Sequence, residues 1–211
     1  MGAVAPVCRQ CSRPLQNPQR CRECGSFQPP DPHRDHFATL ALPRGFDVDE
    51  ALLERRLVDF GRDLHPDHVG RVGEGCQRAF AVLAAAQVNE AYGVLRDPYR
   101  RGEYLLRLEG GRTATEDKSV PAGFLDEMLE EREELEQALS GGDAELARTR
   151  GRFERKIADL AAELARGFAA LPSDGERAAA LDRLRRTLNV MAYFRGLLRD
   201  LREAAHQKES A

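Results

Sequence analysis

From about residue 36 onward, apolar side chains return along the chain every three or four positions, the interval of an α-helix with one buried face. Leu53, Leu57, Phe60 and Leu64 are spaced by four, three and four, so they predict a helix that begins at a cap on Asp47 or Asp49 and ends at Pro66. A glycine-rich loop over residues 70–75 leads to a second long helix whose apolar face is read as Phe80, Leu83, Val88, Ala91, Tyr92 and Leu95. Two such helices joined by a short loop pack antiparallel. A short apolar piece, Phe37 to Leu42, precedes them before a turn at Pro43-Arg44-Gly45. Asp97-Pro98 follows them as the start of another helix bearing Tyr99, Tyr104, Leu105 and Leu108, which Gly110-Gly111 stops. Residues 112–121 lack periodicity and read as a linker.

Beyond the linker lie three further amphipathic segments. The first carries Phe124, Leu125, Met128, Leu129, Leu135 and Leu139 and ends at Gly141-Gly142. The second starts at Asp143 and carries Leu146, Phe153, Ile157, Leu160, Leu164 and Phe168. The third follows Pro172 and carries Leu181, Leu184, Leu188, Met191, Phe194, Leu197, Leu198 and Leu201. Short connections between long amphipathic helices predict an antiparallel three-helix bundle. The expected fold is therefore all-α. Residues 1–34 form a cysteine-bearing extension and stiff Pro-rich linker, 35–111 a four-helix domain built around an antiparallel hairpin, and 122–211 the bundle.

The first 35 residues break the pattern and bring in different chemistry. Cys8-x-x-Cys11, nine intervening residues, and Cys21-x-x-Cys24 supply four soft ligands in the paired spacing that wraps tetrahedral zinc. Gly25 permits a tight turn after the second pair, while no glycine follows the first. With no open position provided, the zinc would be structural. The alternatives are a redox pair or two disulfides, of which the redox pair would need a βαβ context that is absent. Cys76 is left over and reads as a small, semi-buried residue.

Charge narrows the functional classes. The chain of 211 residues has 32 basic and 35 acidic side chains, a net charge of -3, so it lacks the cationic excess that feeds non-specific phosphate binding. No apolar run approaches the roughly 20 residues needed to cross a bilayer, and the first residues have no export signal. The cysteine motif starts at residue 8, leaving no room for an Arg-rich transit peptide, so a cytoplasmic location is expected, with the mitochondrial matrix after processing as the alternative.

The remaining candidate is the loop His65-Pro66-Asp67, an imidazole and a carboxylate presented at a proline-fixed bend between two long helices, behind a basic helix face of Arg55, Arg56 and Arg62. Four helices with HPD between the second and third resemble a J domain. Several stretches are similar to the HscB (Jac-type) branch that serves iron-sulfur cluster assembly: Asp35-His36-Phe37-Ala38-Thr39-Leu40, Leu64-His65-Pro66-Asp67, Val88-Asn89-Glu90-Ala91-Tyr92, Asp97-Pro98, and Arg101-Gly102-Glu103-Tyr104-Leu105-Leu106. Residues 124–135 resemble that family's first bundle helix, and CRECGSFQPPDP resembles the zinc knuckle of its eukaryotic-type members.

The resemblance implies a bridging co-chaperone and not an enzyme. His65, Pro66 and Asp67, with Arg55, Arg56 and Arg62 around them, would engage a DnaK-type chaperone such as HscA and stimulate its ATPase. Leu125, Met128, Leu129 and Tyr193 would hold the scaffold IscU, and Cys8, Cys11, Cys21 and Cys24 a structural zinc ion. Two departures stand out: His68 follows the loop where Lys or Phe is more usual, and Asp126 takes a position that is apolar in a bacterial relative. The alternatives are a J-domain protein with another client, an enzyme using His65 and Asp67 or Cys76, and a zinc-ribbon nucleic-acid adaptor drawing on Arg9, Arg13, Arg20 and Arg22. No aromatic stacking platform accompanies those arginines, and no second polar cluster supplies a catalytic pocket.

Overall fold

The structure, a computed structural model, describes residues 6–65 and 75–209. The HPD residues Pro66 and Asp67, together with His68, lie outside the described residues; His65 lies within them. Among the described residues there are seven helices and no strand longer than an isolated bridge. We number them α1 (His36–Thr39), α2 (Glu50–Asp63), α3 (Cys76–Leu95), α4 (Pro98–Leu108), α5 (Phe124–Ser140), α6 (Asp143–Ala169) and α7 (Arg177–Glu209). None of them is long and apolar enough to cross a membrane.

The chain forms two compact units that divide between Arg101 and Gly102, inside α4. In the first, Asp35 caps α1 through a 2.7 Å hydrogen bond from the Ala38 amide, and Asp49, the second of the two expected caps, accepts the Leu52 amide at 2.9 Å. α3 packs against both α1 and α2. Phe37, Leu40, Leu53, Phe60, Val88, Ala91 and Leu95 are all almost fully buried, each large side chain contributing on the order of 1.5–3 kcal/mol. Arg101, nearly buried, lies 5.0 Å over the Phe46 ring and donates to the Leu95 carbonyl.

The face that α3 buries differs from the one expected. Ala81, Ala84, Val88, Ala91 and Leu95 point inward, at spacings of three, four, three and four, whereas Val82 and Leu83 are 67% and 48% exposed and Phe80 is only half-buried. Leu83 was expected in the core, but every residue from Ala79 to Ala86 is apolar, so hydrophobicity alone does not define a face there. Size decides instead: alanines on the inner face let α3 approach α1 and α2 closely, and the bulkier Val82 and Leu83 are turned outward.

In the second unit α5, α6 and α7 pack on one another as the expected bundle, with Phe124, Phe153, Leu164, Leu188, Met191 and Phe194 in its core. Ion pairs join the second half of α4 to α7: Glu103 to the fully buried Arg185, and Glu109 to Arg177. Segment 112–121 is held against α7 as well, since the Asn189 amide donates to the Asp117 and Ser119 carbonyls at 3.1 and 2.7 Å.

Candidate functional site

The cysteine pairs fold as two near-identical knuckles. In each, the residue after the second cysteine donates its amide to the carbonyl of the first: Ser12 to Cys8 at 2.8 Å and Gly25 to Cys21 at 2.9 Å. Both residues take a left-handed conformation, with φ of 58° for Ser12 and 77° for Gly25. Serine therefore occupies the turn where no glycine was available, at a steric cost that the enclosed site must offset.

These turns bring all four Sγ atoms within 4.8 Å of one another. Across the knuckles, Cys8 and Cys24 approach to 3.6 Å and Cys11 and Cys21 to 3.7 Å. Zn–S bonds of about 2.3 Å give a tetrahedron with edges of about 3.8 Å, so the donor set fits one ion. The Gln10 amide and the Gln28 side chain donate to Cys8 Sγ at 3.3 and 3.4 Å, as outer partners of a thiolate ligand do. The titration of the thiols points the same way. Burial raises Cys8, but hydrogen bonds from Ser26, the Cys11 and Gln10 backbone and Cys24 outweigh it and bring the thiol down to about 6. A backbone hydrogen bond at Arg13 lowers Cys11, yet desolvation and its three sulfur neighbours push it up to about 12. Ser26 holds Cys24 below its usual range. Four thiols confined together cannot all ionise unless a cation neutralises them.

The knuckles are docked on the helical hairpin by polar side chains. Asn17 and Arg22 both donate to the Asp63 carboxylate, at 3.2 and 2.9 Å, and Arg20 donates to the Asp63 carbonyl at 3.1 Å. Gln19, nearly fully buried, donates to the Thr39 carbonyl at 3.0 Å. The Gln77 side chain accepts from the Phe27 amide at 2.8 Å and donates back to the Phe27 carbonyl at 3.4 Å. His65 is exposed just past the end of α2. Arg55 and Arg62 are exposed on the same helix, while Arg56 is half-buried with its guanidinium 5.7 Å from the Phe60 ring.

On the bundle, Leu125 and Leu129 lie one turn apart on the outer face of α5, each 66% exposed. Met128 and Tyr193 are half-buried, not open to solvent. The Tyr193 hydroxyl donates to the Met128 carbonyl at 2.6 Å, and its ring meets Phe124 edge-on at 5.6 Å. Desolvation raises its phenol above the ordinary range. Asp126 is exposed beside Leu125.

Residues 120–202 match the family model described as the HSCB C-terminal oligomerisation domain. A Vibrio vulnificus co-chaperone protein HscB homolog is 34% identical over 159 residues, covering 72% of this chain and 88% of the relative. The chain belongs to the HscB co-chaperone family. A mouse relative named as an iron-sulfur cluster co-chaperone, HscB, is 33% identical over 143 residues, covering 65% of this chain and 61% of the relative's length. The crystal structure of human co-chaperone protein HscB superposes with a TM-score of 0.74 at 25% identity, covering 93% of this chain and 97% of that one.

Within this HscB-type framework, the structure gathers the four cysteines into one centre and places Leu125, Met128, Leu129 and Tyr193 around one end of α5. Sequence reasoning missed the docking residues Asn17, Gln19, Asp63 and Gln77. The only signal of them is indirect: Asn17 and Gln19, like Gln28, are polar residues in a segment too short to bury them against itself.

Proposed function

We propose that this HscB-family protein stimulates the ATPase of a DnaK-type chaperone through His65, Pro66 and Asp67, and presents an IscU-type iron-sulfur scaffold on its bundle. Family membership supports the co-chaperone role. The observation that carries the bridging reading is the pair Leu125 and Leu129, apolar side chains held outward on a helix whose inner face is already filled. A monomeric bundle gains nothing from that arrangement, whereas a partner's apolar patch gains two anchors, with Met128 and Tyr193 beneath them. On the other unit, exposed His65 beyond a helix carrying Arg55 and Arg62 supports docking to an acidic chaperone surface, with half-buried Arg56 bracing Phe60.

Cys8, Cys11, Cys21 and Cys24 hold a zinc ion whose role is to fold the extension, as thiolates do in closed tetrahedral sites. Four ligands kept as thiolates suit a reducing compartment, the cytoplasm on this reading. Hydrolysis takes place in the chaperone, to which this chain contributes contacts and no reacting group. The test is His65→Gln in the full chain. It should leave helicity and zinc content unchanged and abolish stimulation of a DnaK-type ATPase; stimulation equal to the unaltered chain's would overturn the assignment.

A further inference from the structure

We propose that the zinc knuckle is a brace for the facing ends of the hairpin helices, with Asp63 and Gln77 as positioning residues that tie the end of α2, next to His65, and the start of α3 to the metal-organised turn. This rests on the reading of His65 to Asp67 as the chaperone-binding element. Apart from Gln19, which bonds the Thr39 carbonyl at the end of α1, the side chains that anchor the extension meet two residues of the hairpin. Asp63 is the last residue of α2, two before His65, and Gln77 is the second residue of α3. They are the points where the chain leaves one hairpin helix and enters the other.

Each end is gripped differently. At Asp63 the carboxylate takes Asn17 and Arg22, and the carbonyl, which α2 leaves without a helical partner, takes Arg20. At Gln77 the side-chain amide makes a two-way pair with the backbone of Phe27, a nearly buried ring that Arg20 covers at 5.5 Å. Arg20 therefore links both grips, since its Nε also donates to the Gly25 carbonyl within the second knuckle.

The anchoring residues lie between or just after the cysteines of the metal site. Asn17, Gln19 and Arg20 lie between Cys11 and Cys21, Arg22 lies between Cys21 and Cys24, and Phe27 follows Cys24 by three. Buried polar contacts of this kind hold only in one register, because each lost partner leaves a desolvated group behind. Asn17 is fully buried and Gln19 nearly so, which fixes how the extension sits. When the four thiolates are bound to one ion, the turns are rigid and both helix ends are held. When they are not, the helix ends are released and a smaller fraction of molecules presents His65 in its binding position. Apparent affinity for the chaperone then falls by that fraction, while the rate at saturation is unchanged.

The experiment combines Arg22→Gln with Gln77→Ala in the full chain. Arg22 is 45% exposed and Gln77 lies in the first turn of α3, so neither change empties the core. Single-turnover hydrolysis by a DnaK-type chaperone is measured against co-chaperone concentration, alongside zinc content and amide hydrogen exchange. We expect one zinc per chain, an unchanged maximal rate, and a half-saturating concentration raised about tenfold by loss of the binding-competent fraction. The Leu64 and His65 amides, bonded to Phe60 and Arg62 at 2.9 and 3.3 Å, should exchange faster. Removing zinc from the unaltered chain should reproduce both effects. Unchanged half-saturation and unchanged exchange in the double variant, with the unaltered chain still stimulating, overturn the brace alone. An unaltered chain that stimulates no such ATPase overturns the chaperone reading and the brace with it.

Discussion

Leu125 and Leu129 offer a clean separation of binding from stability, because their side chains project from α5 into solvent. Leu125→Ala and Leu129→Ala should each shift stability by under about 0.5 kcal/mol in thermal or urea unfolding. The same substitutions should weaken binding of an IscU-type scaffold about tenfold or more if these leucines are anchors in the partner's pocket. Titration calorimetry checks the second effect, and affinity unchanged in both variants would remove α5 from the interface. Tyr193 is a different case. Its hydroxyl ties α7 to the Met128 carbonyl, so Tyr193→Phe should cost about 0.5–1.5 kcal/mol of stability. Tyr193 stands outside the apolar stripe read along the last helix, and neither its half-buried place nor its hydrogen bond to α5 could be read from spacing.

At the scale of helices, the test case is the seam that α3 forms with α1 and α2. Ala84 is buried in it and Leu83 lies beside it, 48% exposed. Ala84→Leu should overpack the seam and cost about 1–3 kcal/mol, whereas Leu83→Ala should change stability by less than about 0.5 kcal/mol. Denaturant midpoints that rank the two the other way would restore the face inferred from hydrophobicity. Helix existence and limits were legible here, since Asp49, Asp97 and Gly110 are strong start and stop signals that each act locally. Asp49→Ala should accordingly cost about 1 kcal/mol, seen as a lowered melting temperature. The rotation of α3 was not legible, because a run of apolar residues of different size carries no periodic contrast. In the bundle, where charged residues alternate with leucines, Leu146, Phe153, Leu160, Leu164 and the α7 stripe fall inward as their spacing predicts.

The whole molecule distributes its tasks: a four-cysteine extension on a helical hairpin, and a bundle with an exposed leucine pair. The four cysteines were legible as one centre from spacing alone, but the contacts that dock it were not, because Asn17, Gln19 and Gln77 carry no motif and find their partners 46, 20 and 50 residues away. A strong chelator should remove one zinc per chain yet leave far-UV helicity nearly constant, because residues 6–34 contribute no helix. A large loss of helical signal on chelation would mean that the metal supports the helical domains themselves.

The central claim is that one chain couples a chaperone's ATPase to a scaffold. It is tested most directly by the hydrolysis rate of a DnaK-type chaperone measured alone, with this protein, with an IscU-type scaffold, and with both. The account predicts a rate with both that exceeds the sum of the separate increments, and an excess that disappears in the Leu125→Ala/Leu129→Ala double variant while that variant's own stimulation remains. A rate with both no greater than the sum, or an excess that survives the double substitution, would contradict it.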